Sequence, residues 1–286
     1  INKKNLISSI TEKVEEYWNL YNSEEFDPSN PKINLHEPTF GPEEVMAMVK
    51  VMLSTRVTMG AKVLDFEAEI AEYFNVQIIG GDTTQGPLTI TICAKGTVPE
   101  GTALRRSGAK VGDWIYVTGP LGDAGLAIES RKQGISIEPE HLKYVNKRFD
   151  FPTPRVAAGQ VLRGLASSAI DVSDGLIADL SHILDMSQVS AVVNIESIPT
   201  SDAMQASLDF NQQLPFILSY GDDYELIFTV PDSNKSMLEI KLRQYGVDAT
   251  CIGQVKSGDG QIELLHNGEK FDFEPQGFEH FAKELV

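Results

Sequence analysis

The stretch Ala169-Ile170-Asp171-Val172-Ser173-Asp174-Gly175, running directly into Leu176-Ile177-Ala178-Asp179-Leu180-Ser181-His182-Ile183-Leu184, constrains this chain more than any other. Leu176, Ile177, Leu180, Ile183 and Leu184 recur at spacings of three and four. The second half is therefore an amphipathic helix that lays one face on a core. The residues before it crowd its positive end. Ser173 is a natural N-cap, and Asp171 and Asp174 complement the helix dipole. Capping alone accounts for all three. The alternative is chemical: two carboxylates three residues apart hold a hard cation at a place that also receives phosphate.

At 286 residues the chain is long enough for two domains. Its net charge of −17 leaves no basic field for nucleic acid or for an anionic membrane. A protein this acidic handles nucleotides only locally, through cations and a few placed arginines. Cys93 and Cys251 form no CxxC pair and no even framework, which fits a reducing compartment and a cytoplasmic location. No apolar run reaches membrane-spanning length, and the first twenty residues are too charged for a secretory leader.

Residues 5–21 read as a helix with Leu6, Ile7, Ile10, Val14, Trp18 and Tyr21 on one face. Gly41-Pro42-Glu43-Glu44 starts a second helix, and a third begins near Gly60. The character changes at Asn75. Residues 76–79 and 88–94 read as strands on either side of Gly80-Gly81-Asp82-Thr83-Thr84, where the glycines let backbone amides approach a ligand and Asp82 can bind metal. A plain polar turn is the other reading. Further strands are expected at 114–118, 191–195, 224–230, 250–255, 261–265 and 269–273, and helices at 155–166 and 236–245. Gly119-Pro120-Leu121-Gly122-Asp123-Ala124-Gly125 is a glycine-rich strand-to-helix loop able to cradle phosphate, although it lacks a P-loop lysine. Strands and helices mix without strict alternation. This predicts a mixed-sheet α/β sandwich of the α+β type, preceded by a mostly helical segment.

Two resemblances follow. Asn34-Leu35-His36-Glu37-Pro38-Thr39-Phe40-Gly41 and Leu53-Ser54-Thr55-Arg56-Val57-Thr58-Met59-Gly60, with Phe66-Glu67 and Tyr73-Phe74, resemble the opening of pyridoxal-phosphate sugar aminotransferases and 3-dehydratases. The cofactor loop of that family does not follow. From residue 76 onward, Ile79-Gly80-Gly81-Asp82-Thr83-Thr84, Arg106-Ser107-Gly108-Ala109-Lys110-Val111-Gly112-Asp113, Ile170-Asp171-Val172-Ser173-Asp174-Gly175-Leu176 and Gly221-Asp222-Asp223-Tyr224-Glu225-Leu226 resemble, in order and spacing, the thiamine-monophosphate kinase family. Pro152-Thr153-Pro154-Arg155 and Gly277-Phe278-Glu279-His280-Phe281 also fit.

The second resemblance implies a domain plan of 1–75, 76–110 and 111–286, the last like the C-terminal domain of the aminoimidazole-ribonucleotide-synthetase-like superfamily. It implies ATP as co-substrate, Mg²⁺ as cofactor and thiamine monophosphate as acceptor. By motif, Asp82, Asp171 and Asp174 resemble the Mg²⁺ ligands, and Gly81, Arg106 and Ser173 the ATP contacts. Asp222 and Phe278 resemble groups that bind the thiamine moiety, by hydrogen bond and by ring stacking. No side chain is implied as a general base, because the transfer depends on cations and positioning. The family usually has Glu where Asp222 stands and Gly-Gly where Tyr220-Gly221 stands. Its front-domain motifs do not occur in residues 1–75. The expectation is a kinase whose activity is impaired in this chain alone. Its alternative is a non-catalytic fusion that at most binds nucleotide, and a heteromer with an intact kinase is the one active arrangement.

Overall fold

The computed structural model describes residues 3–21, 41–53, 60–81, 89–132 and 134–273. It divides into two compact units, Ile1–Ala94 and Lys95–Val286. The first contains helices α1 (Lys3–Tyr21), α2 (Pro42–Leu53) and α3 (Ala61–Phe74). Local signals set their ends. Pro42 opens α2, and the Glu44 carboxylate reaches back to the Gly41 N–H at 2.6 Å. At the close of α3, Asn75 turns left-handed (φ 50°) and the Val76 N–H returns to Ala71 O at 3.0 Å. Among the described residues of this unit with a hydrophobic side chain larger than alanine, only Met46 is buried.

The strands expected at 76–79 and 88–94 do not form in the described parts, residues 76–81 and 89–94. Ile79, Ile90 and Ile92 are 80%, 75% and 69% exposed. Alternating apolar residues make a strand only against a neighbour that accepts their ladder bonds. No strand of this unit is available among its described residues.

The second unit is built on a seven-stranded sheet: β1 (Trp114–Thr118), β2 (Ser168–Asp171), β3 (Ser190–Asn194), β4 (Leu226–Val230), β5 (Ala249–Lys256), β6 (Ile262–His266) and β7 (Glu269–Lys270). The order is β2-β4-β1-β5-β3-β6-β7, antiparallel throughout except β3 with β6. Its helices are α4 (Asp123–Arg131), α5 (Pro139–Asp150), α6 (Val156–Leu162), α7 (Leu176–Ser187), α8 (Asp202–Ser207), α9 (Phe210–Ser219) and α10 (Asp232–Gln244). Period-two alternation sorts side chains to the two faces. Ile115, Val117, Ile170 and Ile227 join a core with Leu176, Leu180, Ile183 and Leu184 of α7 and Leu218 of α9. Tyr116 and Phe228 join the opposite core with α6 and α10, their rings stacked at 5.6 Å. The expected mixed-sheet sandwich is what forms, with helices covering both faces.

Strand β2, absent from the sequence reading, is four residues long. Helix α9 carries Pro215 in its interior, yet it is well started by a reciprocal Asp209–Gln212 capping box. A bulge in β5 pairs Ile115 with Gly253 and Tyr116 with Cys251, leaving Ile252 as the extra residue, fully buried. At Gly253 a Cβ would lie 2.1 Å from Val192 O on the neighbouring strand. Gly253→Ala must therefore part β3 from β5. We expect a loss of about 2 kcal/mol or more, read from the urea midpoint. An unchanged midpoint would show that the sheet relaxes at no cost.

Candidate functional site

Strands β2 and β4 pair up to Asp171 opposite Leu226. Beyond that pair the two loops stay zipped. The Val172 N–H donates to Glu225 O (2.7 Å), the Tyr224 N–H to Val172 O (2.9 Å) and the Asp222 N–H to Ser173 O (3.0 Å). Two glycines make so close an approach possible. A Cβ on Gly221 would stand 2.0 Å from Ser173 O, and one on Gly175 (φ 115°) would stand 2.6 Å from Ser219 O. Asp222 and Tyr224 take left-handed backbone (φ 64° and 51°), a conformation costing about 1 kcal/mol for such residues. The turn thus alternates: Asp222 and Tyr224 lie toward the surface, while Asp223 and Glu225 are buried.

On the outer side, Asp171 and Asp174 are exposed and Tyr224 is 42% exposed. The Tyr224 hydroxyl donates to Asp222 Oδ1 at 3.2 Å. Burial, followed by the Asp222, Asp171 and Asp174 carboxylates, holds this phenol above its ordinary pKa. Three acids from two loops therefore act on one hydroxyl. None of the three has an ion-pair partner among the described residues. Nor do three or more His, Cys, Asp or Glu side chains close into a metal cage there. The loops offer an open face of carboxylates, the kind of donor set Mg²⁺ uses together with waters and phosphate oxygens.

The inner side is a dense polar network. Helix α7 begins at Leu176 with Gly175 at the cap position, so Ser173 is not its N-cap. Instead Asp179, in the first turn, folds back. Its Oδ2 accepts from the N–H groups of Ser173, Asp174 and Gly175 at 2.9, 3.0 and 3.1 Å. Burial raises the Asp179 pKa and these three bonds oppose the rise. The Gly119–Gly125 loop is likewise no phosphate cradle. Asp223 accepts from the Gly122 N–H (2.6 Å) and the Ala124 N–H (3.2 Å). A Cβ on Gly119 would meet the Glu225 carboxylate, and one on Gly125 the Tyr220 ring. Burial pushes the Asp223 carboxyl up to about 7. Glu225, fully buried, accepts from Thr118 Oγ1 (2.7 Å), Arg148 Nη1 (2.8 Å), Arg155 Nε (2.7 Å) and Arg155 Nη2. Arg148 Nε also faces the buried Asp123 at 3.4 Å.

The two loops thus bring Asp171, Ser173, Asp174 and Asp222 together. Arg106 is exposed on the segment that flanks β2, where the Ala169 N–H donates to Arg105 O at 2.9 Å. Gly81 is exposed in the other unit. Asp82 and Phe278 lie outside the described residues. A recess of about 440 Å³, lined by Val98, Arg105, Ser107 and Ser167 among others, contains none of the expected site residues. Sequence reasoning assigned no part to Asp179, Asp223, Tyr224, Glu225 or the two arginines. Asp223, Tyr224, Glu225 and Arg155 do stand inside motifs that carry the kinase resemblance, whereas Asp179 and Arg148 carried no signal beyond their residue type.

Residues 110–265 match the family model described as AIR synthase related protein, C-terminal domain. The chain belongs to that family. Over 215 residues it is 46% identical to the thiamine-monophosphate kinase of Salmonella typhimurium, covering 74% of this chain and 66% of that protein. The Escherichia coli enzyme of the same name is 45% identical over 216 residues, 75% of this chain and 66% of its own length. Among solved structures, thiamine-monophosphate kinase from Stenotrophomonas maltophilia matches with a TM-score of 0.55 at 37% identity, covering 60% of this chain and 55% of that one. AaThiL complexed with AMPPCP and TMP matches at 0.51 and 29%, covering 62% and 54%. The chain therefore spans just under two thirds of the length of the first two relatives.

Two outcomes follow from the geometry. Gly221→Ala should force the loops apart and cost about 2 kcal/mol or more, read by chemical unfolding; wild-type stability would mean that the zipper is not needed. Asp223 has a raised folded pKa, so its contribution is full below the unfolded value near 4 and is lost as pH rises through about 7. Relative to wild type, Asp223→Asn should gain on the order of 2 kcal/mol between about pH 5 and about pH 8. A shift toward wild type over that range would mean that the buried carboxyl is held low.

Proposed function

We propose that this chain carries the C-terminal part of a thiamine-monophosphate kinase site. Its reaction is the transfer of the γ-phosphoryl group of ATP to the phosphate of thiamine monophosphate. The bond to the β-phosphate oxygen breaks, a bond to the acceptor phosphate oxygen forms, and ADP and thiamine diphosphate leave. The observation that carries this reading is the open carboxylate face of Asp171, Asp174 and Asp222 on the interlocked loops. The names of the relatives support it, and so does the AMPPCP and TMP complex of AaThiL.

Two anions must meet, and Mg²⁺ when bound supplies the charge neutralisation that lets them do so. Asp171 and Asp174 fit that ion as exposed carboxylates with no ion-pair partner among the described residues, and the kinase resemblance also names Asp82 as a ligand. Asp222, fixed by the Tyr224 hydroxyl, presents an acceptor to the thiamine moiety, with Phe278 as the stacking partner. Gly81, Arg106 and Ser173 are the nucleotide contacts. We read residues 1–75 as an aminotransferase-like opening, 76–110 as what the chain keeps of the kinase nucleotide-binding domain, and 111–286 as the kinase C-terminal domain.

Residues 1–75 carry none of the front-domain motifs. Loss of one preorganised charge-stabilising contact costs about a hundredfold or more in rate, so several together leave this chain slow by itself. A partner chain with an intact front domain would restore turnover. Calorimetry should show Mg²⁺-dependent binding of ATP, and Asp171→Asn should abolish it without lowering the melting temperature. Equal affinity for both proteins would return these acids to a structural role. Thiamine diphosphate formation by the purified chain at about one per second, ordinary for enzymes, would overturn the impairment.

A further inference from the structure

Residues 95–109 form no helix or strand, yet they are pinned beside β2. Leu104 packs on the core under α6 and α10, and Ala109 lies in the core under α7. Between those anchors the Ala169 N–H donates to Arg105 O at 2.9 Å, and a Cβ on Gly108 (φ 124°) would stand 2.5 Å from Ser167 O. Upstream, Thr102 closes a tight turn on Pro99 O through its N–H (3.1 Å) and its Oγ1 (2.9 Å), with Gly101 left-handed (φ 76°). The turn and the pinned stretch bound the recess of about 440 Å³, a volume ordinary for small-molecule sites.

The lining carries both signs of charge. Glu100 and Arg105 are exposed, and neither has an ion-pair partner among the described residues. The Ser107 hydroxyl makes no hydrogen bond among them either. Ser167 differs. Its Oγ donates to the buried Asp113 Oδ2 at 2.5 Å, so its proton is committed and it offers a ligand only lone pairs. Arg105 and Ser107 thus ask for an anionic acceptor, and Glu100 and Ser167 for a cationic group, beside the apolar Val98, Pro99 and Ala103. A lone anion meets Glu100 in a chain of net charge −17, and a lone cation meets Arg105. We propose that the recess is a binding site for a small zwitterion with an apolar body, its carboxylate or phosphate on Arg105 and its cationic nitrogen on Glu100. A free apolar α-amino acid and a thiamine phosphate share that chemistry. The site has no lining residue in common with the carboxylate face of Asp171, Asp174 and Asp222 and does not rest on the kinase reading.

The test is ligand-observed NMR titration of the full chain with L-leucine, with 4-methylpentanoate and L-leucinamide, which each lack one of its charges, and with thiamine monophosphate. Wild type should bind leucine with a millimolar Kd and each single-charge analogue about tenfold more weakly. Arg105→Ala should remove the preference for leucine over leucinamide, and Glu100→Gln the preference over 4-methylpentanoate. Both positions are exposed, and melting curves confirm that each variant is folded. Equal binding of leucine and its two analogues by wild type, or preferences that persist in the variants, would leave the recess a merely apolar surface and overturn the proposal. Failure of both leucine and thiamine monophosphate to saturate at millimolar concentration would overturn it too. Thiamine monophosphate binding, with leucine inert, that is lost in Arg105→Ala and kept in Asp222→Asn would support the proposal with a thiamine phosphate as the occupant. Lost only in Asp222→Asn, that binding belongs to the kinase site, and an inert leucine then overturns the recess.

Discussion

The approach of Gly221 to the Ser173 carbonyl is the constraint on which the second unit's surface depends. Two loops from non-consecutive strands continue the β2–β4 ladder beyond its last pair, and only residues without a Cβ permit the spacing. That zipper determines which side chains lie toward the surface. It turns Asp222 and Tyr224 left-handed and sets their pair beside Asp171 and Asp174. Strain at two non-glycine residues is tolerated because the ladder bonds on either side over-determine the turn.

Beneath the zipper, charge is handled by enclosure. Glu225 meets two arginines, Asp123 meets Arg148 and a serine, and Asp223 and Asp179 meet backbone amides. Buried ion pairs add little net stability compared with apolar packing, but removing one partner strands the other. The network therefore gives the loops one arrangement rather than a deeper energy well. Its outer counterpart, the carboxylates of Asp171, Asp174 and Asp222, has no cationic side chain paired with it among the described residues.

The first unit rests on different physics. Its helices are delimited by a proline, a back-folded glutamate and a left-handed asparagine, yet among the described side chains larger than alanine only Met46 is buried. Helices of this length gain most of their stability from packing an apolar face. Those of the first unit owe more to local signals than to a core, whereas α7 is held by four fully buried aliphatic side chains.

By itself the sequence determined the elements whose periodicity is long and unbroken: α7 from its apolar spacing, β1 and β4 from theirs, and the mixed sandwich from their order. It also marked Asp171, Ser173, Asp174 and Asp222, because short motifs carry their residue types in plain view. Tertiary structure decided the rest. Ser173 looked like a cap, but the cap position passed to Gly175 and the capping acid came from Asp179. Gly119–Gly125 looked open to phosphate until Asp223, about a hundred residues later in the chain, took its amides. The alternation at 76–79 and 88–94 looked like strands, but its described part found no neighbour among the described residues of its unit. The reason is common to all three. Periodicity reports which face a segment would bury, whereas the partner of a backbone N–H or C=O is chosen by whatever the fold brings within 3 Å.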